Sequence, residues 1–579
     1  MSTIRTTEED LTLTGTEEAI AADTAGQPAG RSWPEWQKVL FRIAFVFFLA
    51  MSIPNSPTWY TDLVTFDWTR LHYRDVYDIA RFGSGLDLFG RTIFGSTLEG
   101  YATWIITLLA SIAVGAIWTV IVKVVKREPK DYNLLYYWLR VVVRYRAGIG
   151  IIGFGYTKLM PTQMPYPSYG LLNTNFGDFT LQKIYWLSVG IVPWYQVFAG
   201  VVELTAGILL FFRGTTTLGA ILLLGALGDI VYVNFAYDGG VHVYSSYFVL
   251  LAAFLLIKDI PKFWNLLILE RFTVPNSYYP AFSQKWQQYV RYGLKIFVFG
   301  LFVFYLFWLQ YVNFKYDPYK QPSTAGIKEL RGNYQVTEFK INNQEIPYSP
   351  TDTVRWQWAT FENWTSLTFK VNKPTPLDLS NGGGAPMRDL GRTFELTGTG
   401  GGQRVFHYLA DTVAHTLYLQ DKYARGGPRD GIGQLQQREA RQGQGGVGGG
   451  ARGDANRARG EGANDDQANA DARNRGERTN GRGGPSDRNW ISKAALVNIG
   501  DENKMIDPLG QSARRDREFA AKPRRDKRNH MILNYSTTDG SRVILKGINE
   551  KKDSIYVVLD RVERPYVLAK STLNAGKYD

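Results

Sequence analysis

The pattern of apolar positions changes character once along the chain. Up to about residue 314, apolar and aromatic residues come in long runs, and beyond Gly326 the period drops to two. Tyr334 to Phe339 alternates in this way, as do Leu367 to Val371 and Arg542 to Leu545. Long apolar runs predict helices that cross a membrane, and a period of two predicts half-buried strands.

The apolar runs are Trp36–Ile53, Tyr101–Val125, Leu134–Met160, Ile184–Phe212, Thr217–Tyr237, Val241–Ile257 and Tyr292–Phe314. At about 20 residues per crossing they predict about seven spans. Residues 54–96 are too polar to cross, because Asp62, Asp67, Arg70 and Arg74 alternate there with Trp59, Tyr60 and Trp68. They read as short helices with aromatics at headgroup level. Lys123, Lys126, Arg127 and Lys130 form one compact basic loop, and Lys262, Arg271, Lys285 and Arg291 form another. Both fall on the same side of the predicted bundle. The positive-inside rule makes that side cytoplasmic and puts the strand-rich half outside.

Further strands are predicted at Arg355–Phe361, Thr393–Leu396, Val405–Leu409, Thr416–Leu419, Met531–Tyr535, Ser554–Leu559 and Val567–Leu568, with turns such as Thr538-Asp539-Gly540. The expected fold is an all-α polytopic membrane bundle followed by an all-β domain, either a lipocalin-like up-and-down barrel or a sandwich. The domains divide as a disordered tail (1–34), two spans with an outer loop (35–131), a four-helix core (132–260), a cytoplasmic loop with the last span (261–321), and the strand-rich domain (322–579). A Gly/Arg-rich insert at 424–488 lacks aliphatics able to form a core, which predicts disorder.

Composition narrows the chemistry. Of 579 residues none is cysteine, which removes disulfides, thiolate metal sites and thiol relays. The five histidines are scattered, so no metal site is legible. The net charge of +13 lies partly in the short loops and partly in the tail. Arg-Gly pairs in the insert resemble RNA-binding tracts, but Asp454, Glu461, Asp465 and Asp466 dilute their field, and aromatics for stacking are scarce. Nucleic acid is therefore not an expected partner. The basic run 514–528 suits an anionic envelope polymer or lipid.

Candidate functional residues are charges where lipid disfavours them. Arg144 and Arg146, Glu203 and Asp229 lie within three different apolar runs. A mid-bilayer charge costs roughly 2.5–3.5 kcal/mol on insertion scales, so such groups turn inward and find partners. Helical rise brings Arg144 or Arg146 near the level of Glu203, which predicts an ion pair between them. A second polar set, Tyr156, Lys158, Asn234, Tyr237, Asp238 and His242, gathers at the outer ends and could ring a cavity mouth.

Within residues 134–258 the sequence resembles the DoxX/DoxD family of four-helix bacterial membrane proteins. The resemblance rests on Arg146 with Gly148, Gly150 and Tyr156-Thr157-Lys158, on Phe198 through Gly207, on Arg213 through Ala220, and on Asn234 through Asp238. Gly332 through Phe339, with Arg355-Trp356, is similar to the start of the strand-rich domain carried by larger members. The resemblance implies a bacterial inner-membrane protein in which Arg146 and Glu203 match family positions. Some members are subunits of a thiosulfate:quinone oxidoreductase, and others belong to oxidative-stress membrane complexes. The expected role is an accessory or scaffold subunit with a membrane-complex partner. A quinone-interacting oxidoreductase component and a small-molecule carrier are the alternatives. No cofactor is evident from the residues themselves, and they name no reaction.

Overall fold

A computed structural model describes residues 32–86, 101–273, 278, 280, 284–318, 320–384, 386–423, 490–520 and 528–578. The Gly/Arg insert and all but residues 32–34 of the expected N-terminal tail lie outside them.

The first half is helical: α1 (Glu35–Ala50), α2 (Pro57–Thr65), α3 (Tyr73–Ala80), α4 (Tyr101–Val124), α5 (Asn133–Leu159), α6 (Leu181–Gly190), α7 (Pro193–Leu210), α8 (Thr216–Ala236), α9 (His242–Ile268) and α10 (Lys285–Tyr316). Five of these, α4, α7, α8, α9 and α10, are long and apolar enough to cross a membrane. This corrects the expectation of seven spans. The α1 helix has 16 residues, short of the roughly 20 that a crossing needs. The α5 helix is long enough at 27 residues, but Arg140, Arg144, Arg146 and Lys158 interrupt its apolar face. The predicted run from Ile184 to Phe212 also divides, into α6 and α7, at Val192-Pro193. Proline disfavours helical backbone at the residue before it, and Val192 is indeed non-helical.

Glycines set the distance between α5 and α7. A Cβ on Gly200 would lie 2.5 Å from the Leu159 nitrogen, and one on Gly148 would lie 2.9 Å from the Gly207 carbonyl. The two backbones therefore touch along a seam that only small residues permit. Phe41, Leu139, Val143, Ile151, Leu223 and Phe248 fill the core beside it. The last helix is not regular throughout, since Phe299–Tyr305 wind as a π-helix. Tyr156 on α5 donates a 2.5 Å hydrogen bond to the Val303 carbonyl in that stretch, tying α10 to the bundle.

The second half is a closed antiparallel barrel. Its strands are β1 (Gly332–Ile341), β2 (Gln344–Glu345), β3 (Trp358–Phe361), β4 (Ser366–Lys370), β5 (Gln403–Asp411), β6 (Thr416–Asp421), β7 (His530–Thr537), β8 (Arg542–Ile548) and β9 (Ser554–Val562). Each of β3 to β8 pairs with the next, and β1 closes the ring by pairing with both β3 and β9. The short β2 extends β1 as a hairpin arm outside the ring. Eight strands therefore form an up-and-down barrel, one of the two β architectures that the sequence leaves open.

Large side chains fill the interior: Tyr334, Phe339, Trp356, Phe361, Phe369, Phe406 and Tyr408 are all buried together. Trp356 stacks on Phe369 at 3.9 Å, and Phe369 on Phe406 at 5.5 Å. This barrel is a packed core rather than a cup. Two predicted strands are absent. Residues Thr393–Leu396 form buried turns, and Val567 is fully exposed without a ladder partner.

Candidate functional site

The buried charges of the helical half find partners other than those the sequence suggests. Glu203 pairs with Lys158, and neither Arg144 nor Arg146 reaches it. The reason lies in the glycine seam. Gly148 and Gly155, seven residues apart, share the face of α5 that meets α7. From the middle of that face Lys158 sits about 70° away and Arg146 about 170° away at 100° per residue. Arg144 is on that face but lies about 16 Å along the helix from Gly155, which meets Leu204 next to Glu203. Arg146 instead donates to the carbonyls of Ala80 at 2.7 Å and Phe82 at 3.3 Å. Those carbonyls lie at the C-terminal end of α3, where the helix dipole favours a cation. The Phe82 ring packs 3.9 Å from the same guanidinium, and Tyr247 accepts a hydrogen bond from its Nε at 3.1 Å. Among the described residues this buried arginine is satisfied by backbone and rings, without an acid. Arg144 donates to the Thr216 hydroxyl at 3.3 Å, and its Nε is buried with no hydrogen-bond partner among the described residues. Asp229 is exposed on α8 and takes no part in the Lys158–Glu203 pair.

The outer polar residues do not converge on one mouth. Tyr156 serves the π-helix of α10, and Lys158 serves Glu203. Asn234 accepts from the Val241 nitrogen at 3.3 Å and so holds the α8–α9 turn, in which Asp238 has a positive φ of 53°. Tyr237 packs on Tyr185, and the His242 ring lies 4.6 Å from Phe235.

The densest polar cluster lies where the helices meet the barrel, and its residues come from four distant segments. Asp317 follows the last turn of α10, Arg392 comes from the loop before β5, and His72 caps α3. Arg515 comes from helix α11 (Ala513–Ala520). Asp317 pairs with Arg392 on one oxygen and lies 2.7 Å from Arg515 on the other. The two guanidiniums hold its carboxyl well below the usual range against the opposing effect of burial. Arg392 also approaches Asp389 at 3.5 Å and donates to the Gln321 carbonyl at 2.8 Å. Asp389 in turn accepts from the Ser323 and Thr324 nitrogens at 2.8 and 2.9 Å.

His72 sits at the rim of this cluster, with Nε2 3.8 Å from Asp317. Its Nδ1 accepts from the Arg74 nitrogen, and burial lowers its pKa to about 3, leaving the ring neutral. A cavity of about 40 Å³ opens beside it, lined by Asn313, Asp317, Ser512 and Trp308 among others. That is room for one or two water molecules.

Other contacts extend the joint. Arg514 bridges Asp75 at 3.1 Å and Asp78 at 2.7 Å on α3. The start of the basic run 514–528 is thus engaged inside the protein, while Arg517 stays exposed and 521–527 lie outside the described residues. Glu362 on the barrel accepts from the Tyr169 and Gly170 nitrogens at 2.9 and 2.8 Å. Burial, reinforced by Glu395, raises its pKa to about 8. Lys422 pairs with Glu395 at 2.6 Å, and Lys320 packs 3.4 Å from the Trp186 ring while donating to Asn381 at 2.8 Å. Lys183 on α6 donates to the Phe394 carbonyl, and burial lowers its pKa to about 7. The chain end also returns to the helices: the Gly576 nitrogen donates to Phe314 and the Tyr166 hydroxyl to Ala569. The local sequence signals little of this. The His72-x-x-Asp75 capping box is the one motif within the joint that is readable in advance. Among the described residues no group of His, Asp and Glu is arranged to hold a metal ion.

No family model matches this chain, and no solved structure matches it. Over 83 residues, 14% of its length, it is 31% identical to the uncharacterized protein YwoB of Bacillus subtilis (strain 168). The chain spans about half the length of that curated relative, 54% of it.

Proposed function

We propose that this chain is a DoxX-like integral membrane protein of a bacterial inner membrane, acting as an accessory or scaffold subunit of a membrane complex. In this reading the barrel stands outside the cytoplasm, and the helical half fixes its position. The observation that carries it is the joint at Asp317, where the end of α10, the barrel's Arg392 and the α11 residue Arg515 meet in one buried ionic cluster. Such a cluster contributes placement more than net stability, because the desolvation of the charges offsets much of their attraction. A barrel packed solid with aromatics has surface to offer a partner and little interior for a ligand.

Purification in mild detergent followed by native mass spectrometry tests the proposal. A second protein co-purifying in fixed ratio is the expected result. A chain that arrives alone with quinone bound would instead favour the oxidoreductase reading.

One observation favours a carrier. Glu203 is buried, and its Oε2 has no hydrogen-bond partner among the described residues, so it has spare capacity for a polar solute. Uptake into proteoliposomes that disappears with Glu203→Gln would establish that role.

A further inference from the structure

The α8 helix turns one stripe to the bundle and leaves the opposite stripe bare. Thr216, Gly219, Ala220, Leu223, Leu227 and Asn234 are buried. Leu218, Ile221, Gly225, Asp229, Tyr232 and Phe235 are exposed. Asp229 lies two residues past Leu227, about 200° around the helix, so it points away from the core. It also lies about 20 Å from the Thr216 end and about 10 Å from the Ala236 end, well inside the apolar length. No described residue gives it a hydrogen bond or an ion pair, and its described polar neighbour, the Tyr185 hydroxyl of α6, feels its charge without neutralising it. A Cβ on Gly225 or Gly228 would meet nothing within 4 Å, so this face is open to close approach by another backbone.

A carboxylate facing hydrocarbon is costly unless a cation covers it. A second copy of this chain is a poor source of that cation. Two-fold pairing through this stripe would set one Asp229 against the other. The cations of the neighbouring helices are engaged elsewhere: Arg146 and Lys158 inside the bundle, Arg140 on the Leu255 carbonyl, Arg144 on Thr216 and Lys295 over the Phe212 ring. We infer that the exposed stripe of α8 docks a membrane-spanning helix of a different protein, which sets a lysine or arginine against Asp229 and packs closely at Gly225 and Gly228. This rests on the accessory-subunit reading and names the surface that would serve it.

The test places a photo-cross-linking phenylalanine analogue at Tyr232 in the full-length protein, in cells, with Ile117 on α4 as the control position. Irradiation is followed by purification in mild detergent and mass spectrometry of the linked peptides. The expected result is a link from position 232 to a span of another protein that contains a lysine or arginine, with no such link from position 117. Asp229→Leu should reduce that link by more than about tenfold, as loss of one member of a buried charge pair does. Links only to lipid, to a second copy or to residues 87–100 of the same chain would overturn the inference. A partner found by native mass spectrometry but not reached from position 232 would overturn the docking face and leave the accessory role standing. Finding no protein partner by either route would remove both.

Discussion

The helical bundle and the joint at its end both bury charge, and they neutralise it in different ways. In the bundle the charges of α5 and α7 stand nearly alone: Arg146 rests on carbonyls and rings, and Glu203 meets one lysine and leaves an oxygen unbonded. At the joint, acids and bases alternate, with Asp317 between Arg392 and Arg515 and Arg392 between Asp317 and Asp389. Single pairs suffice where neighbouring helices already fix the geometry through close packing. The barrel meets the helices through loops, with a short backbone bridge at Phe179–Thr399, so many weaker constraints from distant segments fix its placement.

That contrast predicts a ranking of mutational effects. Arg392→Leu should be the most damaging, because it takes a buried cation from both Asp317 and Asp389 and leaves Arg515 alone against Asp317. A loss of about 3–5 kcal/mol is expected, read as a lower unfolding temperature with new protease cutting in the loop before β5. Glu203→Gln should cost about 3 kcal/mol by leaving Lys158 buried without a counter-ion. The double variant Lys158→Met with Glu203→Leu should recover most of that loss in a detergent melt. An unchanged melt in the single variant would show that the bundle does not depend on the pair.

Gly200→Ala tests the seam directly. The added methyl would sit 2.5 Å from a backbone nitrogen, so about 1–3 kcal/mol should be lost while the joint stays intact.

The joint should also respond to pH with two opposite slopes. His72 is held to about 3 against an ordinary 6.5, so the unfolded chain binds the proton first. Its contribution is present above about pH 6.5 and is lost as pH falls toward 3. Glu362 behaves in reverse, with a folded value of about 8 against 4.5. Stability attached to it is greatest below pH 4.5 and falls as pH rises to about 8. His72→Gln should flatten the acid slope and Glu362→Gln the alkaline one in melts taken across pH. The smallest effect is expected at Arg517→Ala, within about 0.5 kcal/mol, because that side chain is exposed while its neighbours Arg514 and Arg515 are buried.

Much of the barrel was legible in advance, since alternation from Tyr334 to Phe339 and from Arg542 to Leu545 marks β1 and β8 without tertiary information. Thr393–Leu396 misled because its alternation has another cause. Glu395 is drawn inward by Lys422 and by the Trp364 indole, and the backbone turns to deliver it. The basic helix α11 reads as the start of a run suited to an anionic polymer or lipid, because the acids that bury Arg514 lie more than 400 residues earlier. The candidate pair failed on geometry rather than on chemistry, Arg146 by its facing and Arg144 by its level along the helix. Only the structure shows that Gly148 and Gly155 face α7 while Gly150 and Gly153 face Phe248 and Tyr77, and the α7 side excludes Arg146.

The sequence by itself determined the division into apolar helices and alternating strands, because each period is set by backbone geometry within a few residues. It also determined that buried charges must be compensated, because the cost of exposing a charge to an apolar medium does not depend on the fold. Which partner compensates each one was decided only by the tertiary structure. Lys158 for Glu203, the α3 carbonyls for Arg146, and Arg392 with Arg515 for Asp317 are encounters between segments tens to hundreds of residues apart, fixed by helix facing and chain return.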